Sequence, residues 1–261
     1  MSYSVLLPTL NENGHIIKLI NRISKIFLYL KTDYEIIVID DNSTDGTLKT
    51  VKKFVKNNKS IQLKIITRQN KRRSLPDSLN EGIRNSKCKY LIWLDADFQH
   101  PPIYIKKLIY ESSQSDVIIC SRFLKKSKRY FHTYENYKDT NENQSFLFNK
   151  LCQKFFFSDI SDFTSGFICI KKKIIKDYKL DGYYGDYFLN LICFLKFKNV
   201  KIKEIPFNDS IRATGVSKTL ENLNLKYLYL CSRYLLTFLK NFIKVFFYKF
   251  KKLFLTRLIN F

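Results

Sequence analysis

Acidic residues are scarce in this chain: 23 Asp and Glu stand against 46 Lys and Arg in 261 residues, a formal net charge of +23. So strong a basic excess points to an anionic partner, whether nucleic acid, a phosphorylated substrate or an acidic membrane surface. Lys, Asn, Ile, Phe and Tyr are all abundant, as an AT-rich coding sequence produces unaided, so the position of the charge says more than its total. Cysteine patterning is missing as well. The six cysteines, at positions 88, 120, 152, 169, 193 and 231, contain no C-x-x-C pair and have no close histidine, which leaves neither a zinc site nor a disulfide framework. Reduced, cytosolic thiols are expected instead. The chain enters a strand pattern almost at its start, so no signal peptide is expected. Long apolar runs are absent from the tail: between residues 222 and 261 the longest uncharged run is six residues. A transmembrane span needs ~20 mostly apolar residues.

What is present suits one large α/β domain with an appendage, long enough to bury a substantial core. The organising stretch is Tyr90-Leu91-Ile92-Trp93-Leu94-Asp95-Ala96-Asp97-Phe98-Gln99-His100-Pro101-Pro102. An apolar run of strand length ends in two carboxylates one residue apart, and two prolines then forbid the strand from continuing. Strand exits are where α/β sheets bind ligands. There Asp95 and Asp97, with Gln99 beyond, supply hard oxygen ligands for Mg²⁺ or Mn²⁺, and such an ion would hold a diphosphate. An isolated pair of acids is more often a turn former. Here the pattern recurs, because the buried-strand run 34–39 ends in Asp40-Asp41-Asn42-Ser43-Thr44-Asp45-Gly46-Thr47.

Residues 4–7 predict a short strand broken by Pro8, before helical spacing at Ile16, Ile17, Leu19, Ile20, Ile23, Ile26 and Phe27. A second strand at 36–39 feeds a helix through Leu48, Val51 and Val55, with Ser43, Thr44 and Asp45 as candidate N-caps. A strand at 62–67, the basic segment 68–73 and a helix over 76–85 follow. After the Asp95-Ala96-Asp97 strand come a helix through Ile103, Ile105, Leu108 and Ile109 and a fifth strand, 117–120, ending at Ser121-Arg122. This alternation implies right-handed crossovers and a mainly parallel sheet flanked by helices. Glu12, Asp41, Arg68, Asp97 and Arg122 are then expected along one edge, which suits a cation plus a phosphorylated ligand. Residues 129–143 read as a loop over the site. Beyond them a helix at 144–157, a strand at 168–170, a helix at 187–197 and a strand at 200–205 are expected.

Pro8-Thr9-Leu10-Asn11-Glu12, Val38-Ile39-Asp40-Asp41-Asn42-Ser43-Thr44-Asp45-Gly46-Thr47, Asp95-Ala96-Asp97-Phe98-Gln99-His100-Pro101-Pro102 and Ser121-Arg122 resemble the ordered motifs of family 2 glycosyltransferases. The branch most resembled is that of the dolichyl- or polyprenyl-phosphate mannosyltransferases, whose later signatures are similar to Asp162-Phe163-Thr164-Ser165-Gly166-Phe167 and Arg212-Ala213-Thr214-Gly215-Val216-Ser217-Lys218. The resemblance implies a GT-A fold and a GDP- or UDP-linked sugar donor used with a divalent cation. It also implies roles. Pro8, Glu12, Ile39 and Asp41 match positions that hold the donor's base and ribose. Asp95, Ala96, Asp97 and Gln99 match its diphosphate and metal positions, and Arg122, Arg212 and Lys218 match basic residues that contact the donor and acceptor phosphates. Asp95, Asp97, Arg122 and Arg212 are the implied catalytic set.

The chemistry is consistent with that assignment. A sugar leaving a nucleotide diphosphate builds negative charge on the β-phosphate, which a cation at Asp97 and Gln99 would stabilise. A lipid monophosphate is already an anionic nucleophile, so it needs positioning more than deprotonation. A hydroxyl acceptor on a glycan or protein would instead need a base. Asp162 is a candidate for that role, or else caps the turn before Thr164. His100, between Gln99 and Pro101, suits a loop-structuring role more than a catalytic one.

The tail, 222–261, holds eight Lys and Arg and no acid. On one continuous helix Lys226, Arg233, Lys240, Lys244 and Lys251 fall within about 40 degrees of one another at 100 degrees per residue. The rest of the circumference is aromatic and aliphatic, as in a helix lying in an anionic membrane interface. The competing arrangement is a pair of amphipathic helices packed on the domain. The sequence thus divides into a catalytic domain, 1–221, and a basic membrane-associating tail, 222–261, placing the enzyme peripherally on the cytosolic face of a membrane. Charge alone would also fit a non-enzymatic nucleic-acid or membrane-binding protein, but the acid-tipped strands would then have no purpose, and no nucleic-acid partner is expected.

Overall fold

The computed structural model describes residues 1–69, 72–124, 127, 140–209 and 225–259. Seven strands form one sheet: β1 (Ser2–Thr9), β2 (Asp33–Asp40), β3 (Leu63–Thr67), β4 (Tyr90–Trp93), β5 (Val117–Ser121), β6 (Ile168–Lys171) and β7 (Ile202–Pro206). Their spatial order is β3-β2-β1-β4-β6-β5-β7. β6 runs antiparallel to both neighbours, and every other pairing is parallel.

Helices α1 (Ile16–Tyr29), α2 (Thr47–Asn57), α3 (Leu75–Asn85) and α4 (Ile105–Glu111) are the crossovers that parallel pairing demands. They are followed by α5 (Thr140–Phe155), the short α6 (Lys172–Ile175), α7 (Asp186–Phe197) and α8 (Leu225–Ile259). Because both sheet faces are covered, the strands read as unbroken apolar runs, while alternate residues serve opposite cores. Leu6, Ile37, Ile39 and Trp93 pack with Leu79 of α3 and Leu189 and Ile192 of α7. Val5, Leu7, Ile36 and Val38 pack with α1, Val51 and Ile105 on the other side.

Three local expectations change, the first being the loop expected over 129–143: residues 140–143 open α5, and 129–139 lie outside the described residues. β1 does not stop at Pro8 but pairs with β2 through Thr9. Pairing with β4 ends at Leu6, and the Thr9 carbonyl faces β2, where it accepts the Asp41 N–H at 2.9 Å. Pro8, one residue earlier, therefore turns its missing N–H to the side where no ladder remains. The N-cap of α2 is Gly46, left-handed at φ 89°, rather than Ser43, Thr44 or Asp45. Asp45 still serves the helix start, since its carboxylate accepts the Thr47 N–H at 2.9 Å.

The tail is one helix, not two. α8 is 35 residues long and lies on α7 and α5. Val245, Asn241 and Thr237 are buried along the contact, and Phe238 meets the rings of Phe148, Phe155 and Phe156. No helix among the described residues is long and apolar enough to cross a membrane.

Candidate active site

Parallel pairing brings the carboxyl ends of β1 to β5 to one edge of the sheet. The loops leaving β1 and β2 are sewn together there. Asn11 N–H donates to Ser43 Oγ at 2.9 Å, Thr44 N–H to Asn11 Oδ1 at 2.8 Å, and Glu12 N–H to Thr47 Oγ1 at 2.9 Å. This fixes Glu12 at the start of α1, with its carboxylate 2.7 Å from His15 Nε2.

Asp41 lies at the exit of β2, and burial pushes its carboxyl up against the opposing pull of the Ser74 N–H and Arg68. Arg68 is a brace: it donates to Asp41 Oδ1 at 2.6 Å, to Ser78 Oγ at 3.0 Å, and to the carbonyls of Ser74 and Arg72, each at 3.2 Å. Ile39 is wholly buried against Gly82, so what it offers the edge is backbone, next to Pro8 in the ladder.

The exit of β4 is a tight turn. Gln99 N–H donates to Asp97 Oδ1 at 3.0 Å, and Phe98 between them is left-handed at φ 68°, a conformation that strains a side chain of this size. The Phe98 ring is held down, with the Arg22 guanidinium 5.1 Å above it. Asp97 is 5% exposed, whereas the Asp95 side chain is 46% exposed. His100 Nδ1 accepts the Asp95 N–H at 3.0 Å, and its ring stacks on Phe167. Burial lowers the imidazole to about 4, with Arg122 reinforcing and Asp97 opposing. A neutral, doubly anchored His100 is a structural part of the turn.

The donor set fits a hard cation. Asp95, Asp97 and the Gln99 amide offer oxygens, and the one imidazole at hand has its Nδ1 turned to the Asp95 backbone. Among the described residues no group of three or more His, Cys, Asp or Glu could hold a metal ion unaided, so phosphate oxygens would have to complete the coordination.

At the exit of β5, Arg122 grips Asp162 with both arms of its fork. Its Nε and Nη2 donate to the two carboxylate oxygens at 2.9 Å each, and Nη2 also reaches Thr164 Oγ1 at 2.8 Å. Asp162 has no exposed surface. Burial pushes its carboxyl up, but the charge and hydrogen bonds of Arg122 outweigh that and hold it below the usual range. Its carboxylate is thereby engaged as the anchor of Arg122, and it does not have the raised pKa of a general base. Beneath it, Glu204 on β7 accepts the Ser161 and Asp162 N–H groups at 2.8 and 3.0 Å, and burial raises this carboxyl to about 7. Arg212 and Lys218 lie outside the described residues.

The edge thus has two halves. One is Glu12 and Asp41 with the Arg68 brace. The other is Asp95, Ala96, Asp97, Gln99 and Arg122, with the buried His100 bonded to the Asp95 backbone. The exits of β2 and β4 flank β1, so they stand about 10 Å apart at ~4.8 Å per strand spacing, the reach of a nucleoside and its phosphates. Reading the sequence missed Glu204, the Asp162–Arg122 fork and Tyr187, whose hydroxyl accepts from Trp93 Nε1 at 3.1 Å. A lone acid inside the strand Ile202-Lys203-Glu204-Ile205 was the available signal for the first.

The sequence profile of Glycosyl transferase family 2 matches residues 4–179. The chain belongs to that family. Among relatives, the dolichol-phosphate mannosyltransferase of Pyrococcus furiosus is 30% identical over 219 residues, 84% of this chain and 59% of that protein. This chain therefore spans little more than half the length of that relative. The dolichol-phosphate mannosyltransferase of Saccharomyces cerevisiae is 26% identical over 235 residues, 87% of this chain and 85% of the yeast protein. Among solved structures, glucosyl-3-phosphoglycerate synthase of Mycobacterium tuberculosis, in complex with Mn²⁺, UDP and glucosyl-3-phosphoglycerate, superposes with a TM-score of 0.65. It is 16% identical, and the match covers 92% of this chain and 79% of the other. The glycosyltransferase thus has the GT-A fold that its motifs imply.

Proposed function

We propose that this glycosyltransferase moves a hexosyl residue, mannose or glucose in type, from a GDP- or UDP-linked sugar to a polyprenyl or dolichyl phosphate at the cytosolic face of a membrane. The observation that carries the reading is the strained Asp95–Gln99 turn, set on the same sheet edge as Asp41 and the anchored Arg122. The two dolichol-phosphate mannosyltransferase relatives support the acceptor, and neighbours crystallised with UDP and Mn²⁺ or Mg²⁺ support the donor and a cation.

In this reading Pro8, Glu12, Ile39 and Asp41 line the nucleoside, with Pro8 and Ile39 contributing backbone. Asp95, Ala96, Asp97, Arg122, Arg212 and Lys218 surround the phosphates. Asp95, Asp97 and Gln99 would hold Mg²⁺ or Mn²⁺, which neutralises the charge on the departing diphosphate. Arg122 is prepared for an anion. Its Nε and Nη2 are fixed by Asp162 and Thr164, and Nη1 has no hydrogen-bond partner among the described residues. A guanidinium held rigid on one side presents the other side to phosphate with little entropy left to lose. The acceptor phosphate is ionised before it arrives, so the engagement of Asp162 with Arg122 costs the reaction nothing.

Residues 1–221 would be the catalytic domain and 222–261 its membrane-associating tail. Leu235, Leu236, Leu239, Ile243, Phe246, Phe247 and Phe250 of α8 are all exposed, as are Leu147 and Phe155 of α5 beside it. Exposed Lys240, Lys244, Lys249, Lys251 and Lys252 accompany them, which suits an interface rich in anionic headgroups. The test is transfer from radiolabelled nucleotide sugars to polyprenyl phosphate in vesicles, with a hydroxyl acceptor run in parallel. Label entering the organic phase only with polyprenyl phosphate supports the reading, and label appearing only on the hydroxyl acceptor removes it.

A further inference from the structure

Arg122 is held from behind by a chain of contacts that ends on the last strand of the sheet. Its guanidinium is forked on Asp162, and its own N–H donates to Asp162 Oδ2 at 3.1 Å, so one carboxylate sets both the backbone and the side chain of the arginine. Asp162 can do this only if the segment that carries it stays in place, and residues 161 and 162 belong to no helix or strand. Glu204 of β7 supplies the support. Its Oε2 accepts the Ser161 N–H at 2.8 Å and its Oε1 accepts the Asp162 N–H at 3.0 Å, one donor for each oxygen. The Ser161 hydroxyl is in turn 2.6 Å from that of Ser121, the residue before Arg122.

The surroundings of Glu204 leave it to this task. It stands opposite Ile119 in the β5–β7 ladder, on the face where Val117 and Ile119 join the core. Lys203, next along the strand, points to the other face and pairs with Glu111 of α4, Lys196 of α7 pairs with Asp159, and Arg122 is committed to Asp162. Burial raises the Glu204 carboxyl to about 7 against the pull of the two N–H groups, and the like charge of Asp162 adds to the rise. Ionised, the group offers an acceptor to each N–H. Protonated, one oxygen becomes a donor and holds its N–H poorly.

We propose that Glu204 is a positioning residue of the transfer reaction: by binding the N–H groups of Ser161 and Asp162 it fixes the fork that aims Arg122 at the acceptor phosphate. The inference rests on the polyprenyl-phosphate reading above, through the role given there to Arg122. Ionisation of Glu204 lowers stability, yet the ionised form is the one that holds both N–H groups. The form that folds less well is thus the form that positions Arg122.

Glu204→Gln keeps the shape of the side chain and sets an amide N–H₂ against one backbone N–H at every pH. With a short, water-soluble isoprenyl phosphate as acceptor, kcat/KM in the wild type should exceed that of the variant about tenfold at pH 8, the usual worth of a hydrogen bond to a charged group. The two should converge at pH 5, where wild-type Glu204 is protonated. Ionisation of the acceptor phosphate is common to both proteins and cancels in the ratio. Affinity for nucleoside diphosphate should be equal in both. Thr237→Val, which loses a buried hydrogen bond between α8 and α7, controls for stability: its thermal midpoint should fall while kcat/KM for the soluble acceptor keeps its wild-type value. If Glu204→Gln does not fold, Glu204→Asp, one methylene too short to meet both N–H groups, should show the same loss at pH 8. Equal kcat/KM in wild type and variant at pH 8 overturns the inference, as does a ratio that does not change between pH 5 and pH 8, a loss confined to nucleoside diphosphate affinity, or an equal loss in Thr237→Val. Failure of the function itself is seen separately, as wild-type protein that transfers nothing to the isoprenyl phosphate.

Discussion

Asp186 and Thr237 join the last helix to the start of α7. Asp186 is wholly buried at the start of α7, where one carboxylate oxygen accepts the Tyr183 and Tyr184 N–H groups at 2.8 Å and the other accepts the Thr237 hydroxyl at 3.0 Å. Replacing Thr237 with its isostere valine leaves a buried carboxylate oxygen one donor short. The expected cost is ~1–3 kcal/mol, read as a fall of several degrees in the thermal midpoint with no new exposed surface. Thr237→Ser should recover most of it.

Asp162→Asn tests the fork that holds Arg122. An amide can satisfy one arm only and removes the charge from the wholly buried partner of a partly exposed arginine, so both stability and turnover should fall. Losing one member of a fully buried pair costs ~3–5 kcal/mol, and the partial exposure of Arg122 sets the expected cost toward the lower end. Turnover should fall at least a hundredfold in steady-state assays, while nucleoside binding at the Asp41 half should be little altered.

Glu204 sets a pH dependence of stability. Burial raises its carboxyl to about 7 in the folded protein, against roughly 4.3 in an unfolded chain. Between those values the folded state keeps a proton that the unfolded state has released, so stability from this group falls as pH rises through the window and levels off above about 7. Denaturant midpoints measured from pH 5 to pH 8 should show that decline in the wild type, and Glu204→Gln should remove its share of the slope.

The exposed face of α8 predicts a separable membrane defect. Phe246, Phe247 and Phe250 are 59%, 64% and 62% exposed, and none lies in the contact with α7 marked by Thr237, Asn241 and Val245. Changing all three to serine should lower partitioning onto vesicles of phosphatidylcholine and phosphatidylglycerol at least tenfold in sedimentation assays, with affinity for nucleoside diphosphate unaltered.

The first half of the fold was legible because its strands are buried on both faces and end in abrupt polar loops. The runs before Asp40 and Asp95 announce themselves, and parallel pairing then forces their acids to a common edge. The insertion of antiparallel β6 between β4 and β5 was not legible, since Ile168-Cys169-Ile170 has the same apolar pattern whichever way it runs. Pro8 was read as a stop because a strand residue's pairing side cannot be seen without its neighbours. At the site, carboxylates could be found but not all their engagements: Asp162 does cap the turn, accepting the Thr164 N–H at 3.1 Å, while its fork with Arg122 across 40 residues of chain could not be seen. In the tail, lysine spacing gave the helix, while the docking face is written in Thr237 and Asn241, small polar residues that an apolar-versus-cationic reading passes over.

The central claim is that the turn at the end of β4 holds a cation and the donor's diphosphate together. Calorimetric titration of nucleoside diphosphate into wild-type protein and Asp97→Asn, each with and without Mn²⁺, measures it most directly. The account predicts that Mn²⁺ tightens binding at least tenfold in the wild type and does not in the variant, whose fold and metal-free affinity are unchanged. Equal Mn²⁺ enhancement in both proteins would contradict it.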